Sequence, residues 1–166
     1  MSQIVRVRLS RPVQVFLGEY IVNGSLDIRH NTPLGNFILT CIDICDHPTK
    51  GRPIEKDVVK IKVPAQLKNG LDGRTSYFYV SESKQKAIDG LFQFIMEKEL
   101  FDRLDLIHER GEVKKRNGKQ AAEIRAFILK YSGDSDDLSF DTLVKRYQRY
   151  KKRPETLMDS VFQKNM

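Results

Sequence analysis

The chain of 166 residues has no tryptophan, two cysteines, six prolines and ten glycines. Two thiols are too few for a disulfide scaffold, and a chain of this length buries roughly 70% of its unfolded surface without staples. Modest proline and glycine, beside nine Phe and six Tyr, exclude fibrous and disordered compositions. No apolar run approaches the ~18 residues that a membrane-spanning helix needs. The opening MSQIVRVRLSRP alternates arginine with aliphatics where a secretory signal carries an unbroken apolar block. The expectation is a folded, soluble protein in a reducing setting, cytoplasmic or in another intracellular compartment, and not secreted. Internal repeats, low-complexity tracts and motifs that identify a reaction are also missing.

What the chain does have is an uneven charge. Its 29 Lys and Arg exceed its 22 Asp and Glu by seven. Residues 1–80 carry 11 basic and 7 acidic side chains, 81–112 carry 5 and 8, 113–154 carry 12 and 5, and 155–166 carry 1 and 2. The stretch 113–154 alone holds an excess equal to that of the whole chain. Clustered cations raise the local potential and draw polyanions, of which nucleic acid is the commonest inside a cell.

The first half reads as strands. Val5, Val7 and Leu9 alternate with Arg6 and Arg8, the period of a pleated strand with one wet face. Val13 to Val22 is read as a second strand, turning at Asn23-Gly24, a dipeptide suited to a type I′ turn. Ser25 to His30 would return beside it. Phe37 to Ile44, nearly continuous and β-branched, is expected as the most buried, central strand. Val58 to Val63 alternates again, and Thr75 to Val80 closes the set.

The period then changes. Ser81 is a plausible N-cap for a helix whose Ile88, Leu91, Phe92 and Ile95 recur at helical spacing. Leu100, Leu104 and Ile107 extend the stripe, either in the same helix or in a second one. Ile124, Phe127, Ile128 and Tyr131 mark another helix, and Ser139 caps a run with Phe140, Leu143, Val144, Tyr147 and Tyr150 inward. Leu157, Met158, Val161 and Phe162 make a short amphipathic end. The expected fold is α+β, an N-terminal largely antiparallel sheet of about five strands followed by a helical C-terminal half. A β-rich body with its packing helix over 1–112 precedes a basic helical segment over 113–166, the two forming one domain with a semi-independent end.

The candidate binding surface is this basic segment, the alternatives being that its cations form a solvated face, pair with the acidic 81–112 segment, or meet an acidic protein partner. At ~100° per residue, Lys145, Arg149 and Lys152 share one side of the last helix, with Arg146 and Arg153 on an adjacent row. Lys114, Lys115, Arg116 and Lys119 add cations in the loop before the preceding helix. If six of these met phosphates, the logarithmic salt slope of binding would be about −5. Tyr147 and Tyr150 continue the Phe140 stripe and are expected in the core rather than stacked on bases. Arg6, Arg8 and Arg11 with Lys60 and Lys62 offer a second positive surface, provided the two strands pair and expose the same face. Solubilising that face, or guarding an edge strand, accounts for these charges equally well.

Catalytic readings are weaker. Cys41, Cys45 and His47, with His30 as a fourth ligand, suggest a metal. On a strand, however, the two thiols would lie about 13 Å apart, too far for one tetrahedral ion. No metal or other cofactor is expected. Asn31-Thr32-Pro33-Leu34-Gly35-Asn36-Phe37 resembles the Thr-Pro-x-Gly-x-Phe segment near the start of L,D-transpeptidase domains, over less than a fifth of the chain. That family's Ser-His-Gly-Cys segment has no counterpart here, so its activity is not carried over, and Thr32, Pro33 and Gly35 are read as loop residues before a central strand.

The sequence thus leads to a non-enzymatic protein that binds nucleic acid, DNA or RNA, through phosphate contacts of its basic C-terminal helix, and that does not bind membranes. The alternative is a structural or adaptor subunit of a larger assembly. It would dock on a protein partner or a second copy through its sheet edge and amphipathic C-terminal segment.

Overall fold

A computed structural model describes residues 3–45, 58–63, 77–109, 118–132 and 138–152. Among them lie five strands and five helices in the order β1 (Gln3–Arg8), α1 (Arg11–Gly18), β2 (Leu26–Asp27), α2 (Pro33–Thr40), β3 (Asp43–Cys45), β4 (Val58–Val63), β5 (Tyr77–Tyr79), α3 (Glu82–Glu109), α4 (Lys119–Tyr131) and α5 (Phe140–Lys151). The fold is α+β with a helical C-terminal half. The chain divides into two compact units, Met1–Met96 and Glu97–Met166. The boundary at 112/113 read from the sequence lies outside the described residues.

In the first unit the expected single sheet is split in two. One sheet has the order β1-β4-β2, and β3 pairs with β5 in the other. Strands β1 and β4 are antiparallel, with Val5 opposite Ile61 and Val7 opposite Val59, so the buried valines and isoleucine line one face. The short β2 joins the other side of β4 in parallel, Leu26 beside Ile61. The central strand is therefore β4, not the Phe37 to Ile44 segment.

That segment and Val13 to Val22 are the two corrections. Neither is a continuous strand: residues 13–18 lie in α1, and 37–40 lie in α2 with Asp43 and Ile44 following in β3. Val13, Phe16 and Leu17 are buried at i, i+3 and i+4, and Pro12 sits in the first turn of α1, where its missing N–H costs nothing. The N-terminus of α1 is satisfied from elsewhere in the chain: Asp89 Oδ1 accepts from Ser10 N at 2.8 Å and from Ser10 Oγ at 2.9 Å. A carboxylate at the positive end of a helix is favourable. No local sequence pattern announces a cap supplied from 79 residues away.

Helix α2 starts at a local signal. Thr32 is its N-cap, accepting from Gly35 N at 3.0 Å, and Pro33 fills the first helical position. The Thr-Pro pair is thus a helix start rather than a loop. Only Gly35 and Ile38 are buried in α2, while Phe37 stands 38% exposed, and Ile44 on β3 is 43% exposed, so this is not a core strand. The Asn23-Gly24 turn forms as expected. Both residues have positive φ, 51° and 74°, and Val22 and Ser25 exchange backbone hydrogen bonds of 3.1 Å. Its flanks are a turn after α1 and the two-residue β2, not a long hairpin.

The helix after Ser81 is one continuous element of 28 residues. Gln85 ties it to the sheet, accepting from Arg8 N at 3.0 Å and donating to Val80 O at 2.8 Å. Ile88, Phe92, Met96, Leu100 and Leu104 are buried every fourth residue. At ~100° per residue this stripe winds by about 160° around the helix.

Cys41 closes α2 and is buried, whereas Cys45 on β3 is half-buried. The premise of a strand spacing between the two thiols therefore fails, and His47 lies outside the described residues. Among the described residues no group of three or more His, Cys, Asp or Glu is gathered to hold a metal. Burial pushes the Cys41 thiol upward, more strongly than nearby Lys84 pulls it down. Iodoacetamide near pH 8 should therefore alkylate Cys45 at least about tenfold faster than Cys41. Peptide mass spectrometry over time reads the ratio, and equal rates would refute the burial of Cys41.

Candidate nucleic-acid interface

The second unit is built around the C-terminal half of α3, with α4 and α5. Its core gathers Leu100, Leu104, Ile124, Phe127, Leu143 and Tyr147, all at most 5% exposed. The ring of Phe101 lies 5.6 Å from Tyr147 and 5.1 Å from Tyr150, close enough for favourable tilted aromatic pairs. Tyr147 also donates from its hydroxyl to Asp105 Oδ1 at 2.6 Å. Burial, then this bond, pushes its phenol well above the usual tyrosine range. Tyr147 is a core residue, as expected, and has no ring face free for a base.

Helix α5 begins where the sequence places it. Ser139 accepts from Thr142 N at 3.3 Å, Asp141 lies in the first turn, and Arg149 and Lys151 lie in the last, each favourable to the helix dipole. Because Leu143 and Tyr147 are anchored inward, the helical period turns Lys145, Arg149 and Lys152 directly away from the core. All three are exposed. Their Cα atoms span about 10 Å along the axis, at 1.5 Å per residue. Among the described residues none of the three has an ion-pair partner.

Arg146 behaves differently. It binds Glu97 through its Nη1, and Glu97 is itself buried at 7% exposure. It is half-buried and occupied, so it does not join the outward row. Lys119 opens α4 and is exposed. Lys114, Lys115, Arg116 and Arg153 lie outside the described residues, as does the segment with Leu157, Met158, Val161 and Phe162.

Of the acidic 81–112 segment, Glu97 binds Arg146 of α5. Asp105 accepts from Tyr147, Asp102 binds Lys98 within α3 at 2.7 Å, and Arg103 reaches Glu123 of α4 at 2.9 Å. Two cations not singled out in the sequence also stand exposed here. Lys151 Nζ sits 5.7 Å from the Tyr147 ring centre, and the Arg125 guanidinium 5.7 Å from that of Phe140. The Tyr147 to Lys151 spacing of one helical turn was the available signal for the first. Nothing local signals the second.

The two roles are separable by experiment. Removing Arg146 takes an ion pair from the buried Glu97 carboxylate, so Arg146→Ala should cost about 2 kcal/mol in urea unfolding, discounted for the partial exposure of the arginine. Lys145→Ala, on the open face, should stay within about 0.5 kcal/mol of the parent. Equal costs would mean that the pair with Glu97 contributes nothing.

Comparison with known proteins finds no matching family model, no matching curated protein and no matching solved structure.

Proposed function

We propose that this chain is a non-enzymatic nucleic-acid-binding protein that holds the phosphate backbone through α5. The observation that carries the reading is the row Lys145, Arg149 and Lys152, exposed, aligned and without partners among the described residues. Like charges one turn apart repel and weaken a helix, a cost that bound phosphates remove. Phosphate contacts of this kind position a protein on nucleic acid and carry no sequence information themselves.

Lys119 and Arg125 on α4 extend the positive region beyond the row. The order of helix α4 followed by basic helix α5 is shared with helix-turn-helix modules in arrangement alone. The test is fluorescence anisotropy of the full chain with labelled duplex DNA and with an RNA hairpin across a salt series. Binding whose logarithmic salt slope is about −3 or steeper supports the reading, since each phosphate contact contributes about 0.9. No binding, or binding indifferent to salt, overturns it.

A further inference from the structure

The first unit carries a second row of cations, and its position in the sheet says more than its charge. Strand β1 presents Arg6 and Arg8 outward, and β4 presents Lys60 and Lys62 on the same face, with Lys62 half-buried and the other three exposed. The pairing condition left open by the sequence is met: Arg6 stands directly opposite Lys60. Like charges directly opposite weaken an antiparallel ladder. Guarding an edge against further pairing is the usual use of such charges, but β4 is the central strand, hydrogen-bonded on both sides. Edge protection therefore does not account for Lys60 and Lys62.

Two carboxylates bear on the row. Asp27 of β2 lies beside Lys62 in the parallel register, and Glu82, bound to Lys86, lies within the field of Arg8. Among the described residues Arg6, Lys60 and Lys62 have no ion-pair partner. The remaining charge is a narrow diagonal band. Arg6 and Lys60 form its middle rung across a strand spacing of about 4.8 Å, and Lys62 and Arg8 lie about 6.6 Å to either side, two residues along their strands.

We infer that this outer sheet face is a second anion site, taking a single strand of nucleic acid by its phosphates. The band is one chain wide and lies on the outer sheet face. Duplex grooves admit a protruding helix or two-stranded ribbon, whereas open sheet faces and cationic tracks suit single strands. Strands β1, β4 and β2 contain no aromatic residue, so bases have no stacking platform on them. Binding here is indifferent to base sequence and takes DNA and RNA alike. The inference concerns a different surface from α5 and does not depend on it.

The test uses the full chain in a K145Q/R149Q/K152Q background, so that α5 does not contribute, with oligo-dT and oligo-U of about 16 nucleotides as probes. Adding R6Q/R8Q/K60Q/K62Q should lower affinity about 100-fold near physiological salt and flatten the salt slope by about 2.8, at about 0.7 for each of four single-strand phosphates. The variant R6K/R8K keeps the charge and should retain binding. A measurement free of folding effects accompanies it: acetylation of Lys60 and Lys62 in the parent chain should fall when oligo-dT is added. The sheet site is overturned if single strands no longer bind once α5 alone is changed, if the sheet substitutions have no effect, or if acetylation is unmoved. The first of these results leaves the α5 reading standing.

Discussion

Replacing Lys145, Arg149 and Lys152 together by Gln should weaken binding of the chain to duplex DNA about 100-fold near physiological salt and flatten the logarithmic salt slope by about 2.7. The size follows from counterion release. Each cation seated on a phosphate frees condensed ions, and three such contacts account for roughly two orders of magnitude. Stability should hardly change, because all three side chains are exposed on the face opposite Leu143 and Tyr147.

The control removes the same charge elsewhere. Lys86, Lys98 and Arg103 bind Glu82, Asp102 and Glu123 respectively. Their joint replacement by Gln should weaken binding no more than about threefold, the residue of a lower overall potential. Equal losses for the two triple variants would mean that net charge, rather than the α5 row, holds the nucleic acid.

Gly35→Ala should destabilise the protein by about 3 kcal/mol, among the largest single effects open to it. A β-carbon at position 35 would lie 1.9 Å from the Arg29 carbonyl oxygen and 2.8 Å from its carbon, both backbone atoms. It would also lie 2.8 Å from Thr32 Oγ1, the atom that donates to Arg29 O at 2.9 Å and accepts from Gly35 N. Neither neighbour can withdraw without undoing the start of α2. Glycine is required here for close approach, since its φ lies in the ordinary range. Thr32→Ala, which removes only the cap, should cost nearer to 1 kcal/mol. Urea unfolding of both variants checks the order, and a Gly35→Ala cost below that of Thr32→Ala would refute the close approach.

The elements differ in how much of them the sequence revealed, and the reason is local. In β1 and β4 the alternation of charged and aliphatic residues is complete in itself, because a sheet with one buried face needs nothing more to set its period. The Ser139 cap and the stripe Leu143 to Tyr147 likewise specify α5 from within. Segments 13–22 and 37–44 misled because valine, isoleucine and phenylalanine favour strands only as far as their neighbours allow. In α1 the decisive neighbour is Asp89, and in α2 it is Thr32 with Pro33, a signal present in the sequence but outweighed by the apolar run after it.

The candidate surface divides in the same way. That Lys145, Arg149 and Lys152 share a side follows from helical periodicity and was determined by the amino-acid order. That Arg146 is withdrawn from that side depends on Glu97, 49 positions earlier, reaching it in the folded unit. The cations of β1 and β4 were likewise visible, but their standing on one face, with β4 at the centre of its sheet, depended on strand pairing over more than fifty residues. Periodicity acts between residues a few positions apart and can be read directly, whereas partners distant in sequence meet only when burial of apolar side chains brings their elements together.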